Sequence, residues 1–251
     1  MPNRKPILET KNLKKSFGAV VAANNVNVSI FEGEVVGIVG SNGAGKTTFC
    51  NIVTGHINPD SGKILFNNKD ITNSNVTSVK AAGIHRSFQI PQLFGTLDVM
   101  TNILLALSVA TRRSKDYWRP LMNKSSQIEA YKIIEQFNIN NFAYEKVNNL
   151  SQGTRKILDI AIAMIGNPYL VLLDEPTSGI SSEEKFKAMD SIVNGIKKSN
   201  VTTLFIEHDM EIVKKYSRRV IAFYDGKIIA DDKTKTALNN DLVKKYITGL
   251  D

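Results

Sequence analysis

A glycine-rich turn near the N-terminal end carries the clearest chemistry in this chain. Gly40, Ser41, Asn42, Gly43, Ala44, Gly45, Lys46 and Thr47 fit the pattern G-x-x-x-x-G-K-[ST], between an apolar run at 35–39 and a helical pattern at 46–53. Glycines at these spacings let backbone N–H groups curl around phosphate oxygens, at a helix N-terminus whose dipole favours anions. Lys46 is placed to reach the β- and γ-phosphates of a nucleotide, and the Thr47 hydroxyl to bind Mg²⁺. A second apolar run, Val171, Leu172 and Leu173, ends in Asp174 and Glu175. Asp174 would hold Mg²⁺ through water, because a hard cation takes oxygen ligands. Glu175, one residue on, would polarise a water attacking the γ-phosphate.

The elements around these residues are legible in the pattern. Residues 7–13 and 22–30 alternate as strands on either side of Gly18. The continuous apolar run at 35–39 reads as a strand buried on both faces. Residues 63–66 form another strand, closed by Asn67 and Asn68. From 96 to about 165 the pattern is helical, with a polar interruption at 111–126. In the last helix of that stretch Ile157, Ile160, Ala161, Met164 and Ile165 make one apolar stripe. Ser151 is placed to cap it, and Gly166 with Pro168 to end it. Beyond it, strands at 169–173 and 202–206 alternate with helices. Ser181 and Glu184 read as a capping box, 210–216 as a helix, and 220–223 with 227–230 as a hairpin through Asp225 and Gly226. The expected fold is α/β. It has a nucleotide-binding core with a mainly parallel sheet, an N-terminal antiparallel β subdomain and an inserted α-helical subdomain. As one domain over 1–251, the core takes 1–90 and 167–235, the helical subdomain 91–166, and a tail 236–251.

Composition narrows the class. The chain has 251 residues, 42% of them hydrophobic, enough for a core without a disulfide scaffold. Its one cysteine, Cys50, suits a reducing compartment. No signal peptide is expected, and runs such as 35–40 and 103–110 fall short of the roughly 20 residues of a spanning helix. The net charge of +8 fits anionic partners such as nucleotide, but the lysines are scattered, so no nucleic-acid partner is expected.

The two phosphate-binding motifs define a P-loop NTPase. Leu150, Ser151, Gln152, Gly153, Thr154 and Arg155, about two dozen residues before Asp174, resemble the LSGGQ signature of ATP-binding-cassette (ABC) proteins. Gln89 resembles that family's Q-loop glutamine, His208 its switch histidine, and Phe17 the aromatic that stacks on adenine. The resemblance spans about 7–249 and looks closest to ATPase subunits of branched-chain amino acid-type importers. The run Ser87, Phe88, Gln89, Ile90, Pro91, Gln92, Leu93, Phe94 and the end Lys244 to Gly249 carry that likeness. Two positions depart from the pattern: Thr154 stands where the signature usually ends in Gln, and Ser181 where the D-loop usually has Asp.

The resemblance implies an ATPase with ATP and Mg²⁺ as cofactors. Its ATP-binding residues would be Phe17, the loop from Gly40 to Thr47, Thr48, Ser151, Gln152 and Gly153. Thr47, Gln89 and Asp174 would hold the metal, while Lys46, Gln89, Glu175 and His208 would act in hydrolysis. It further implies a second ABC ATPase subunit, identical or different, paired head to tail. Integral membrane permease subunits and, indirectly, a solute-binding protein complete the set, with this chain peripheral on the cytoplasmic side of the membrane. Import of a small polar solute such as branched-chain amino acids is the expected task. Ile90, Pro91, Leu93 and Phe94 are the expected docking patch. A soluble ABC ATPase in cofactor assembly, or an exporter ATPase, are the alternatives. Only about 60 residues separate Gln89 from Ser151, too few for the long coiled coils of genome-maintenance members.

Overall fold

The computed structural model describes residues 5–87, 89, 91–111 and 123–249. The chain divides into two compact units, one of Met1–Arg86, Tyr169–Glu175 and Val201–Asp251, the other of Ser87–Pro168 and Pro176–Asn200.

In the first unit, β1 (Pro6–Phe17) and β2 (Val20–Phe31) form a long antiparallel hairpin, extended by β4 (Ser61–Phe66) and β5 (Lys69–Asp70) into a sheet of order β2-β1-β4-β5. Val26, Val28 and Ile30 alternate inward along β2, as the two-residue pleat requires. Both strands outrun the stretches 7–13 and 22–30, because ladder pairing carries exposed residues up to Phe17 opposite Val20.

The second sheet has the order β10-β9-β3-β8-β7-β6. Its strands are β3 (Val35–Gly40), β6 (Ile84–Ser87), β7 (Leu170–Asp174), β8 (Thr202–Ile206), β9 (Arg219–Tyr224) and β10 (Lys227–Lys233). β3 pairs parallel with β8 and β9, and β7 parallel with β8, while β10 turns back antiparallel through Asp225 and Gly226. All five residues of β7 and of β8 are buried, which explains the apolar runs 170–173 and 204–206 within them. α1 (Lys46–Val53) lies against this core through Phe49, whose ring sits 5.5 Å from that of Phe223. α2 (Val76–Ala82), capped by Asn75, leads into β6, and α7 (Met210–Tyr216) is capped by Asp209. Neither α2 nor β6 shows enough periodicity to be read from sequence. The unit ends in α8 (Thr234–Leu238), α9 (Asp241–Val243) and a π-helical turn at Lys244–Thr248, where Tyr246 stacks on Tyr224 at 4.2 Å.

The second unit is helical: α3 (Val99–Thr111), α4 (Lys124–Gln136), α5 (Gln152–Ala163) and α6 (Lys185–Lys198). The predicted stripe of α5 is buried, and Leu158, Lys156 and Asp159 are buried with it, so α5 is covered on more than its apolar face. Of the polar interruption at 111–126, residues 112–122 lie outside the described residues, and α4 already begins at Lys124. The expected capping box at Ser181 and Glu184 is not formed. α6 begins at Lys185, Glu184 stands at its N-cap without a side-chain cap, and the Ser181 carbonyl accepts from the N–H groups of Glu184 and Lys185. A tight turn uses the segment that the box would have capped.

Candidate active site

The phosphate-binding loop leaves the C-terminal end of β3, held between two parallel neighbours. Only glycine fits at its two ends. A Cβ on Gly40 would stand 2.4 Å from the Phe223 carbonyl oxygen, and one on Gly45, at φ 99°, 2.2 Å from that of Ala22. Both contacts are far inside van der Waals range, so backbone packing fixes the loop. Gly226 completes the seat: its N–H donates to Ala44 O at 3.1 Å, and its carbonyl accepts from Asn24 N at 2.8 Å. Gly45 is also the N-cap of α1 and brings no capping side chain, so the first-turn N–H groups point into the loop without a side-chain acceptor.

Lys46 is buried, and its ammonium donates to Gly40 O at 2.7 Å and Ser41 O at 2.9 Å. Burial lowers its pKa, and the nearby charges of Glu175 and Asp174 pull the other way. The loop therefore gathers a cation, helix N–H groups and open space, since a Cβ on Gly43 would meet no atom within 4 Å. Thr47 is exposed and Thr48 half-buried in the first turn of α1. One turn further on, burial pushes the Cys50 thiol up to about 12.

Asp174 ends β7. Its Oδ2 accepts from Arg86 Nη2 at 2.5 Å, with the two side chains only 10% and 8% exposed. Arg86 Nη1 donates to Asn51 Oδ1 at 2.6 Å. Glu175 takes a left-handed backbone, φ 49°, which is rare for a residue with a Cβ. Its N–H donates to Ile206 O at 3.1 Å, at the end of β8. That conformation turns its carboxylate to His208, whose Nε2–H donates to Glu175 Oε1 at 3.1 Å. The His208 N–H in turn donates to Glu207 Oε2 at 3.2 Å.

Phe17, at the end of β1, is 48% exposed, with Lys15 Nζ 5.5 Å from its ring centroid. Asp60 fixes the strand just before it, accepting from Lys15 Nζ at 2.8 Å and Ser16 N at 2.7 Å. The Lys15 hydrogen bond first, then the Ser16 N–H, holds the Asp60 carboxyl below its ordinary range.

The remaining predicted residues belong to the second unit. Ser151 caps α5, its Oγ accepting from Thr154 N at 3.3 Å and lying 3.2 Å from Thr154 Oγ1. The departure to Thr154 thus adds a hydroxyl beside the cap. Gln152 is exposed. Gly153 is buried in ordinary helical conformation, and a Cβ there would meet Ile180 at 3.6 Å, an ordinary contact. Gln89 is exposed, and its carbonyl accepts from the Nζ of the buried Lys156. Gln92 N donates to Asp159 Oδ1 at 3.3 Å, so α5 holds the backbone at both Gln89 and Gln92.

Arg86, Asn51, Lys156 and Asp159 were not singled out from sequence. Lys156 and Asp159 are charged residues on a mostly apolar helix, and that break was the available signal; Arg86 and Asn51 carried none.

Donor chemistry fits Mg²⁺ at the first unit's loop: Thr47 offers a hydroxyl and Asp174 a carboxylate, both hard oxygens.

The fold and this loop define a nucleotide-binding ATPase cassette. The chain belongs to the ABC transporter family, whose model matches residues 23–178. It is an ATP-hydrolysing component of an ATP-driven transporter. Its relatives include the probable branched-chain amino acid transport ATP-binding protein LivG of Archaeoglobus fulgidus, 35% identical over 97% of this chain and 95% of that protein. The ADP conformation of an ATP-binding cassette of an ABC transporter superposes with a TM-score of 0.82, at 31% identity and 97% coverage of both chains. A dimeric post-hydrolysis cassette bound to ADP and Pi gives 0.74, at 27% identity over 90% of this chain and 98% of that one. Among the described residues no helix is long and apolar enough to cross a membrane.

Proposed function

We propose that this chain energises import of a small polar solute, branched-chain amino acids or similar, through separate permease subunits, from a peripheral position on the cytoplasmic side of the membrane. The observation that carries the hydrolytic half is the Glu175–His208 hydrogen bond of 3.1 Å beside the phosphate-binding loop. The names of the relatives support the solute.

In this reading Lys46 and the N–H groups from Gly40 to Thr48 hold the β- and γ-phosphates, and Phe17 stacks on the adenine. Glu175 accepts the proton of a water that attacks the γ-phosphorus, as the bond to the ADP oxygen breaks. His208 orients Glu175 and contacts the γ-phosphate. Thr47, Asp174 and Gln89 would hold Mg²⁺, which when bound neutralises charge on the phosphate oxygens.

Ser151, Gln152 and Gly153 would meet the nucleotide of a second cassette, identical or different, paired head to tail. Gly153 fits this reading. Neither its φ nor the space around it within the chain requires glycine, which is compatible with a role toward a second cassette. The first unit then binds nucleotide, and the second carries the signature and faces the permease. Phe94, 61% exposed, supports a docking role there. Its backbone is fixed by the buried Asn102, which accepts from Phe94 N at 2.9 Å and donates to Phe94 O at 3.1 Å. Ile90, part of the expected patch, lies outside the described residues; Pro91 and Leu93 are half-buried.

The test is uptake of radiolabelled leucine by vesicles carrying the assembled transporter. Phe94→Asp should abolish ATP-driven uptake and leave ATP binding intact. Loss of ATP binding in that variant, or full uptake, would contradict the docking role.

A further inference from the structure

Arg86 makes two hydrogen bonds that join separate elements at the catalytic end of the first unit. Nη2 donates to Asp174 Oδ2 on β7 at 2.5 Å, and Nη1 to Asn51 Oδ1 on α1 at 2.6 Å. Asn51 lies four residues after Thr47, so the two share one face of α1, a turn apart. The guanidinium is planar, with its donors in a rigid fork. Its two Nη atoms therefore set the spacing between the element bearing the Thr47 hydroxyl and the element bearing the Asp174 carboxylate. The pair is nearly buried, at 8% and 10% side-chain exposure, so water does not loosen it. With Oδ2 committed to Arg86, the Asp174 carboxylate has one defined orientation.

We propose that Arg86 is the positioning residue of the metal half of the site: it bridges Asn51 and Asp174 and so holds the oxygens of Thr47 and Asp174 at the separation that Mg²⁺ bound to ATP requires. The inference rests on the reading of Thr47 and Asp174 as the Mg²⁺-holding residues. The role assigned to Arg86 is exerted through its hydrogen-bond partners, Asp174 on β7 and Asn51 on α1.

The bridge needs the fork and not merely the charge. Lysine at this position keeps the positive charge, but its three donors radiate from one nitrogen and cannot reproduce the fixed separation of the two Nη atoms. The measurement is ATP affinity of the full chain by calorimetry, once with Mg²⁺ and once with EDTA. The ratio of the two affinities reports the metal. Arg86→Lys should cut that ratio by about tenfold, the usual effect of losing a group that orients a metal ligand, and leave the affinity in EDTA unchanged. Asn51→Ala, which breaks the bridge from the other end, should lower the ratio in the same direction; it decides the matter if Arg86→Lys melts below assay temperature. Equal losses with and without Mg²⁺ would mark a purely structural role and overturn the proposal. An unchanged ratio, or tighter binding with Mg²⁺ because arginine competes with the metal, would overturn it too. Asp174→Asn separates the two levels. If it too leaves the ratio unchanged, the assignment of Asp174 to the metal fails and takes this inference with it. If it collapses the ratio while Arg86→Lys and Asn51→Ala do not, only the bridge fails.

Discussion

His208 Nε2 stands 3.1 Å from Glu175 Oε1, and this hydrogen bond ties the residue after β7 to the residues after β8. It gives the carboxylate a donor at a defined position. His208→Ala should therefore lower kcat while the affinity for ATP stays within a few fold, since the loop that holds the phosphates is untouched. Steady-state phosphate release, with ATP binding measured in parallel, checks it. An equal loss of binding and turnover would assign His208 to the ground-state contact alone.

Glu175 adopts φ 49°, where a Cβ costs about 1 kcal/mol. Glu175→Gly should then be more stable than Glu175→Ala by about that amount, although both lose hydrolysis. Urea melts of the two variants decide. Equal midpoints would mean that the segment relaxes out of the left-handed region without cost.

Gly153 costs the signature helix stability that the chain's own packing does not demand. A Cβ there meets Ile180 at 3.6 Å and Ser151 Oγ at 3.8 Å, both ordinary contacts, so Gly153→Ala should stabilise the isolated chain by ~0.5–1 kcal/mol. The same methyl should block ATP-driven pairing, measured by size-exclusion chromatography in a Glu175→Gln background together with the partner cassette. A variant that pairs normally would contradict a role for Gly153 toward a second cassette.

The Cys50 thiol is pushed up to about 12 by burial in α1. A raised pKa keeps the sulfur protonated, and only the thiolate is nucleophilic. At pH 8 the native protein should therefore react with an aromatic disulfide reagent far more slowly than the urea-unfolded chain, and ATP should slow it further by closing openings of α1. Rapid labelling of the folded protein would contradict the burial of this face of α1.

Where one physical cause acted alone, the sequence was readable. β3 and the loop after it followed from an apolar run and glycines whose packing tolerates nothing larger, and α5 from its stripe and the Ser151 cap. Tertiary effects were not readable. The Ser181 and Glu184 pair had the spacing of a capping box, yet the chain spends it on a turn and starts α6 at Lys185. β6 is four residues long, and its arginine looks like a surface residue until Asp174 and Asn51 are placed around it. The left-handed backbone of Glu175 has no sequence mark, because glycine or asparagine would be the expected occupant. Phe17 is singled out only by its resemblance to the family's adenine-stacking aromatic and falls outside the expected strand 7–13; its place at the strand end comes from the extension of the hairpin beyond its apolar part.

The central claim is that Glu175 is the base for ATP hydrolysis at a loop held by Lys46. Its most direct test is phosphate release from Mg-ATP by the assembled transporter, wild type against Glu175→Gln, with both shown to bind ATP. The account predicts unchanged ATP binding and a loss of turnover of roughly 10²-fold or more. Turnover by Glu175→Gln within a few fold of wild type would contradict it and move the search for the base elsewhere.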